Sequence, residues 1–239
     1  MIRLLASVRD EAEALAAAAA GADFIDLKEP HAGALGALPV ARIRAIVAAL
    51  RHAHPGLPIS ATIGDHSADE AARIDALVAA VGGCGVDYVK VGVVGGDVEA
   101  RSALLQRLAA APAAVVPVFI ADRGLDFAAV EDACRLPFPA LMADTEDKRA
   151  GSLFDCASVA DLARFVGLAR RAAKLVGLSG ALREHHLPGL AALAPDFAGF
   201  RGALCDGTRT AALDPAKLGL LRDALHAATR VGVSEVCTS

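Results

Sequence analysis

Short apolar runs recur along the whole chain, and segments of helical periodicity lie between most of them. The runs are Ile2–Ser7, Phe24–Lys28, Ile59–Ile63, Asp87–Val91, Pro117–Ala121, Ala140–Ala143, Leu175–Leu178 and Phe197–Arg201, and they read as eight strands. Segments rich in Ala, Leu and Arg predict helices over Val40–Leu50, Glu70–Val81, Glu99–Ala111, Ser158–Arg171 and Pro215–Thr229. Two helix starts carry their own chemistry. Ser67 stands three residues before Glu70 as in a capping box, and Asp214 precedes Pro215 as a cap before a first-turn proline.

Strand alternating with helix implies parallel pairing through right-handed crossovers. Eight such units of roughly 30 residues account for the 239 residues, the size of a (β/α)8 TIM-like barrel. An open doubly wound sheet would use fewer strands and a glycine-rich first turn, and no GxGxxG follows Ser7. Pro117 fits poorly inside a strand with two neighbours, because it brings no N–H to the ladder; that strand is therefore expected to begin at Pro117. The cluster Gly82–Gly83–Cys84–Gly85 reads as a turn. No linker divides the chain, so one barrel domain is expected over residues 1–233, with a frayed tail at 234–239.

Composition narrows the function classes. Hydrophobic residues make up 55% and charged residues 22%, which excludes a disordered chain. No apolar stretch reaches the ~18 residues of a membrane span, and Arg9, Asp10, Glu11 and Glu13 ahead of Ala14–Ala22 do not read as a signal peptide. A net charge of −4, 4% aromatic residues, no Trp and no basic block argue against nucleic-acid binding. The five cysteines are scattered without a CxxC, as in reduced cytoplasmic proteins. His52/His54 and His185/His186 lack the i, i+4 spacing of helical metal ligands. No metal and no other cofactor is expected. The alanine-rich helices suit packing on a second copy, giving a homo-oligomer, as well as packing on the barrel.

Polar residues collect where the runs end. Asp26 and Lys28 end the second run, Gly64–Asp65 follow the third and Lys90 ends the fourth. Asp122–Arg123, Asp144–Thr145, Ser179–Gly180 and Arg201–Gly202 follow the rest. In such barrels the carboxyl ends of the strands carry the chemistry. Only five of the 24 Lys and Arg residues are lysine, so arginine supplies generic positive charge here. Lysine can shed its proton and attack a carbonyl, which arginine cannot do. Lys28, Lys90 and Lys148 fall on the strand-end face, whereas Lys174 and Lys217 read as structural. Asp26 and Lys28 stand two apart on one strand, about 7 Å along the chain and pointing the same way; Tyr88 and Lys90 repeat the pattern. Convergence of Lys28 and Lys90 would favour an uncharged amine beside an ammonium. The plainer alternative is that each lysine snorkels to water or pairs with Asp26 or Asp144. Ser179–Gly180 and Arg201–Gly202 lie in the loops that hold phosphate in many barrels. Together with the amines they point to a small phosphorylated carbonyl compound.

Several of these segments resemble one family. They are Asp26–Leu27–Lys28–Glu29–Pro30 with Gly33–Ala34–Leu35–Gly36, Ser60–Ala61–Thr62–Ile63–Gly64–Asp65, Tyr88–Val89–Lys90–Val91–Gly92, and Asp144–Thr145 with Lys148 and Leu153–Phe154–Asp155. The resemblance is to (5-formylfuran-3-yl)methyl phosphate synthases, which make the furan precursor of methanofuran and methylofuran cofactors, and it runs from Leu4 to about Cys205. It implies a TIM-barrel lyase that joins two molecules of glyceraldehyde 3-phosphate with loss of one phosphate and water. It further implies that Lys28 forms the Schiff base, that Lys90 transfers protons, and that Asp26, Asp144 and Lys148 complete the active site. Ser179, Gly180, Arg201 and Gly202 would hold a phosphate. A class I aldolase of sugar phosphates and a barrel that only binds a phosphorylated ligand are the alternatives.

Overall fold

The computed structural model describes residues 1–147 and 151–236, with side chains as far as residue 229. Eight parallel strands follow one another around a closed barrel, β1 pairing with β8. They are β1 (Arg3–Val8), β2 (Phe24–Leu27), β3 (Ile59–Thr62), β4 (Tyr88–Gly92), β5 (Val115–Ile120), β6 (Ala140–Asp144), β7 (Leu175–Leu178) and β8 (Phe197–Phe200). Around them lie α1 (Glu11–Ala19), α2 (Val40–Ala53), α3 (Ala71–Gly82), α4 (Val98–Ala109), α5 (Phe127–Arg135), the one-turn α6 (Leu153–Cys156), α7 (Val159–Arg171), α8 (Leu187–Leu193) and α9 (Pro215–Val236).

The period of two in each strand sorts side chains between two cores. Ile25 and Leu27 of β2, Val89 and Val91 of β4, and Leu141 and Ala143 of β6 point outward into the layer shared with the helices. The opposite phase fills the barrel interior with Leu5, Phe24, Val116, Val118, Ile120, Ala140, Met142 and Phe197. At the amino-terminal foot the rings of Phe24 and Phe197 meet with centroids 5.5 Å apart. Gly177 makes room for them, since a Cβ there would lie 2.1 Å from the Phe197 ring. The foot is thus closed by apolar packing, and only the carboxyl-terminal half of the interior is polar.

Both expected helix starts are present. Ser67 and Glu70 form a reciprocal capping box on a 3₁₀ turn over Ala68–Glu70, ahead of α3. The Asp214 carboxylate accepts from the Ala216 N–H at 2.8 Å at the start of α9.

Two boundaries differ from those expected. Strand β5 begins at Val115, with Pro117 in its middle. The bonds Val89 N–H to Ala114 O and Val93 N–H to Val118 O show that even-numbered positions of β5 face β4. The nitrogen of Pro117 therefore faces the β6 side, where the paired register starts only at Val118. That register sets Leu141 of β6 level with Pro117, so the missing N–H delays the first rung of the β5–β6 ladder to Val118 and leaves the rest of it unbroken. Helix α9 takes in Ser234–Val236, so the boundary drawn at residue 233 falls inside a helix; no Gly or Pro follows Gly232 to end it.

No described helix is long and apolar enough to cross a membrane.

Candidate active site

A buried carboxylate organises the polar half of the barrel. Asp26 is in the inward phase of β2, level with Ser7 on β1 and Ser60 on β3. Its side chain is wholly enclosed. It accepts from the Ser60 hydroxyl at 2.7 Å and the Ser7 hydroxyl at 3.2 Å, and forms an ion pair with Lys90 Nζ at 2.8 Å. Burial alone would raise the Asp26 carboxyl above the usual carboxylate range. The charges of Lys90 and Lys28 and the Ser60 hydrogen bond outweigh it and hold the group below that range. Lys28 and Lys90 thus share one anion, and both are buried, at 4% and 2% exposure.

Lys28 opens upward from Asp26 into a cavity of about 190 Å³ that Ser7, Ser179, Gly202 and Arg209 also line. The loop after Lys28 is tied down by its neighbour. The Thr62 hydroxyl donates to Gly36 O at 2.9 Å, and Gly64 N–H to Leu35 O at 2.9 Å. The Leu35 N–H donates to the Asp65 carboxylate at 3.2 Å. These bonds explain why the two segments 26–36 and 60–65 occur as a pair: the second holds the first in place.

On the far side of the cavity, Ser179 continues the ladder by donating its N–H to Ala143 O at 2.8 Å. Gly180 has φ +122°, and a Cβ there would come within 2.9 Å of Thr145. That φ favours glycine, and the close approach leaves it little alternative. Ser179 and Gly202 stand where the sequence placed them, at the rim over Lys28.

Arg201 does not. Its guanidinium is taken up in a buried fork with Glu13 of α1, Nη2 to Oε1 at 3.1 Å and Nη1 to Oε2 at 2.5 Å. It also donates to the carbonyls of Ser7, Arg209 and Ala211. Glu13 accepts in addition from the backbone N–H groups of Arg9 and Leu213. The side chain expected to hold phosphate is instead the internal brace of the loop that follows β8; the residue still borders the cavity. Glu13→Ala should therefore destabilise the chain by about 3–5 kcal/mol, since it strands a buried guanidinium. Denaturant unfolding measures this, and a loss under about 1 kcal/mol would show the pair to be ornamental.

Asp144 completes the inward phase of β6 above Ala140 and Met142. It is fully buried and accepts from the Thr145 N–H at 2.7 Å. Beyond it, Asp122 accepts from the N–H groups of Glu146 and Asp147, and Arg123 pairs with Glu146. Asp122 and Arg123, which follow β5, thus hold the start of the next loop. Lys148 lies outside the described residues. Lys174 donates to Leu136 O at the opposite end of the barrel, and Lys217 to Asp206 and Cys205 O; both are structural. Among the described residues no three His, Cys, Asp or Glu side chains converge as metal ligands do.

Ser7, Ser60 and Arg209 are site residues that sequence reasoning missed. The two serines carried a signal, a hydroxyl in the inward phase beside Asp26. Arg209 carried none, since it sits in an irregular loop.

The chain was compared with known proteins. A sequence profile of the 4-HFC-P synthase family matches residues 4–222. A protein from Methylorubrum extorquens is 40% identical over 233 residues, spanning 95% of this chain and 93% of that one. The (5-formylfuran-3-yl)methyl phosphate synthase of Methanosarcina barkeri is 32% identical over 224 residues, 87% of this chain and 93% of its own. Among solved structures, 3-keto-L-gulonate-6-phosphate decarboxylase from Vibrio cholerae superposes with a TM-score of 0.63 at 13% identity, over 95% of this chain and 98% of that one. That likeness is one of fold.

Proposed function

The chain belongs to the 4-HFC-P synthase family, and from that premise we propose that it condenses two molecules of glyceraldehyde 3-phosphate into (5-formylfuran-3-yl)methyl phosphate, releasing one phosphate and water. The observation that carries this reading is the pair of buried lysines on one carboxylate, with Lys28 opening into the cavity beneath the loops after β7 and β8.

Lys28 supplies the nucleophile. Its amine adds to the aldehyde carbon of one triose phosphate, and the carbonyl oxygen leaves as water to give an iminium. The iminium draws electrons from the adjacent C–H bond, whose proton passes to a base while the electron pair stays conjugated with nitrogen. Lys90, held on Asp26, serves as the proton carrier in this reading. The carbon so activated attacks the carbonyl of the second triose. One phosphate leaves by elimination at its C–O bond, and a hydroxyl adds to the iminium carbon to close the ring and expel the Lys28 amine. Asp144 and Lys148 protonate the hydroxyl oxygens that leave as water. Enclosing both short substrates over one amine turns a bimolecular encounter into a local step. The phosphate is received by Ser179 and Gly202, which border this cavity, and by Gly180 next to Ser179 in the same loop.

The test is incubation with glyceraldehyde 3-phosphate under borohydride, followed by mass spectrometry of protein and small molecules. The expected result is a reduced adduct on the peptide containing Lys28, and a furan with strong ultraviolet absorption when borohydride is left out. An adduct accompanied by an aldol product would make the protein an aldolase, and a folded protein without adduct would reduce it to a binding barrel.

A further inference from the structure

The cavity over Lys28 is bordered by three arginines, Arg183, Arg201 and Arg209, and they are not equivalent. Arg201 is consumed by Glu13. Arg183 is exposed. Arg209 is partly buried and reaches across the mouth of the barrel, where its Nη2 donates to the Gly33 carbonyl at 3.1 Å.

We infer that Arg209 is the residue that recognises the phosphate monoester of the substrate, exchanging the Gly33 carbonyl for the anion. The inference rests on the reading of this cavity as the substrate site, and three observations support it.

First, the backbone behind Arg209 is fixed. Arg201 Nε and Nη2 donate to Arg209 O and Ala211 O, both at 2.8 Å, and Arg9 Nη1 to Thr210 O at 2.7 Å. The buried Glu13–Arg201 fork thus aims the loop, and the Arg209 side chain projects from a rigid base. Second, among the described residues its one hydrogen-bond acceptor is a neutral carbonyl, that of Gly33. A guanidinium carries five N–H donors in a fork that fits two phosphate oxygens at once, so a phosphate is the better partner. Third, burial, with Arg201 beside it, pulls the Arg209 guanidinium below its ordinary range against the pull of Asp144 and Asp65; a dianion seated in the cavity would offset that cost.

The division of labour follows from the proposed chemistry. An amine that must be uncharged to attack a carbonyl cannot also neutralise the phosphate of the same small molecule. Arg209 supplies the permanent charge and leaves Lys28 free to react.

Glycerol 3-phosphate has the phosphate and no carbonyl, so it reports on this contact without forming a Schiff base. Calorimetry with the full chain should show it binding to the wild type, with Arg209→Gln weakening the affinity about tenfold to a hundredfold at unchanged unfolding temperature. Should the glutamine variant not fold, Arg209→Lys is the substitute: it keeps charge and stem but not the fork, and at least threefold weakening is expected. Wild-type chain that fails to bind glycerol 3-phosphate overturns the inference. So does a folded glutamine variant that loses less than tenfold, or a lysine variant that loses less than threefold. Assaying furan formation by the wild type in parallel keeps the two ideas apart. Absence of furan with the Arg209 effect intact would sink the synthase reading alone, whereas furan formation with no Arg209 effect would sink this inference alone.

Discussion

Replacing Lys28 by arginine is expected to give a folded barrel that makes no furan. Arginine preserves the positive charge facing Asp26, and the adjoining cavity of about 190 Å³ has room for a longer head group. What it cannot do is lose a proton near neutrality and offer a lone pair to a carbonyl carbon. Loss of the covalent step should lower turnover about a thousandfold or more, the scale seen when a nucleophile is removed from a catalytic unit that works as a whole. Product absorbance measures the rate, and circular dichroism confirms the fold. Activity within tenfold of wild type would take Lys28 out of the mechanism and leave Lys90 as the candidate amine.

The second large effect is on stability. Asp26→Asn removes the anion between two buried amines and should destabilise the protein by about 3–5 kcal/mol at pH 7, because an uncompensated buried charge is worse than no charge. The pH dependence has a definite sign. In the folded chain Asp26 is held below the ordinary carboxylate range, so the unfolded chain takes up its proton first as pH falls. The Asp26 contribution is complete above about pH 4 and is lost as acid titrates the folded group. The gap between wild type and variant should accordingly shrink between pH 7 and pH 3 in denaturant unfolding. A gap that stays constant over that interval would mean the carboxylate is not the source.

The sequence made the barrel legible because a strand buried on both faces has little freedom in composition. Runs such as Phe24–Lys28 and Ala140–Ala143 lie within two residues of the observed strands. That Asp26 and Lys28 point the same way followed from the same alternation, and Lys174 was read as structural because it stands at the start of a run. Pro117 was misread because a missing N–H at the first rung of a ladder shortens it without breaking it, and which rung that is depends on register. Arg201 was misread for a related reason. Whether a guanidinium is available depends on Glu13, 188 positions away, and local spacing carries no trace of that partnership. Arg209 went unseen because nothing in an irregular loop says which way it leans.

The order of the strands has a consequence for when the site comes into being. The pocket over Lys28 draws Ser7 from the first strand, Lys28 from the second, Ser179 from the end of the seventh and Gly199 from the eighth, and so straddles the seam where the two ends of the sheet are stitched together. Its rim takes its support from Glu13 near one terminus and Arg201 toward the other. No fragment released or synthesised short of Phe200 can assemble this chamber, and a half-barrel holding both lysines would display them to open water. The chamber over Lys28 is therefore a property of the finished chain.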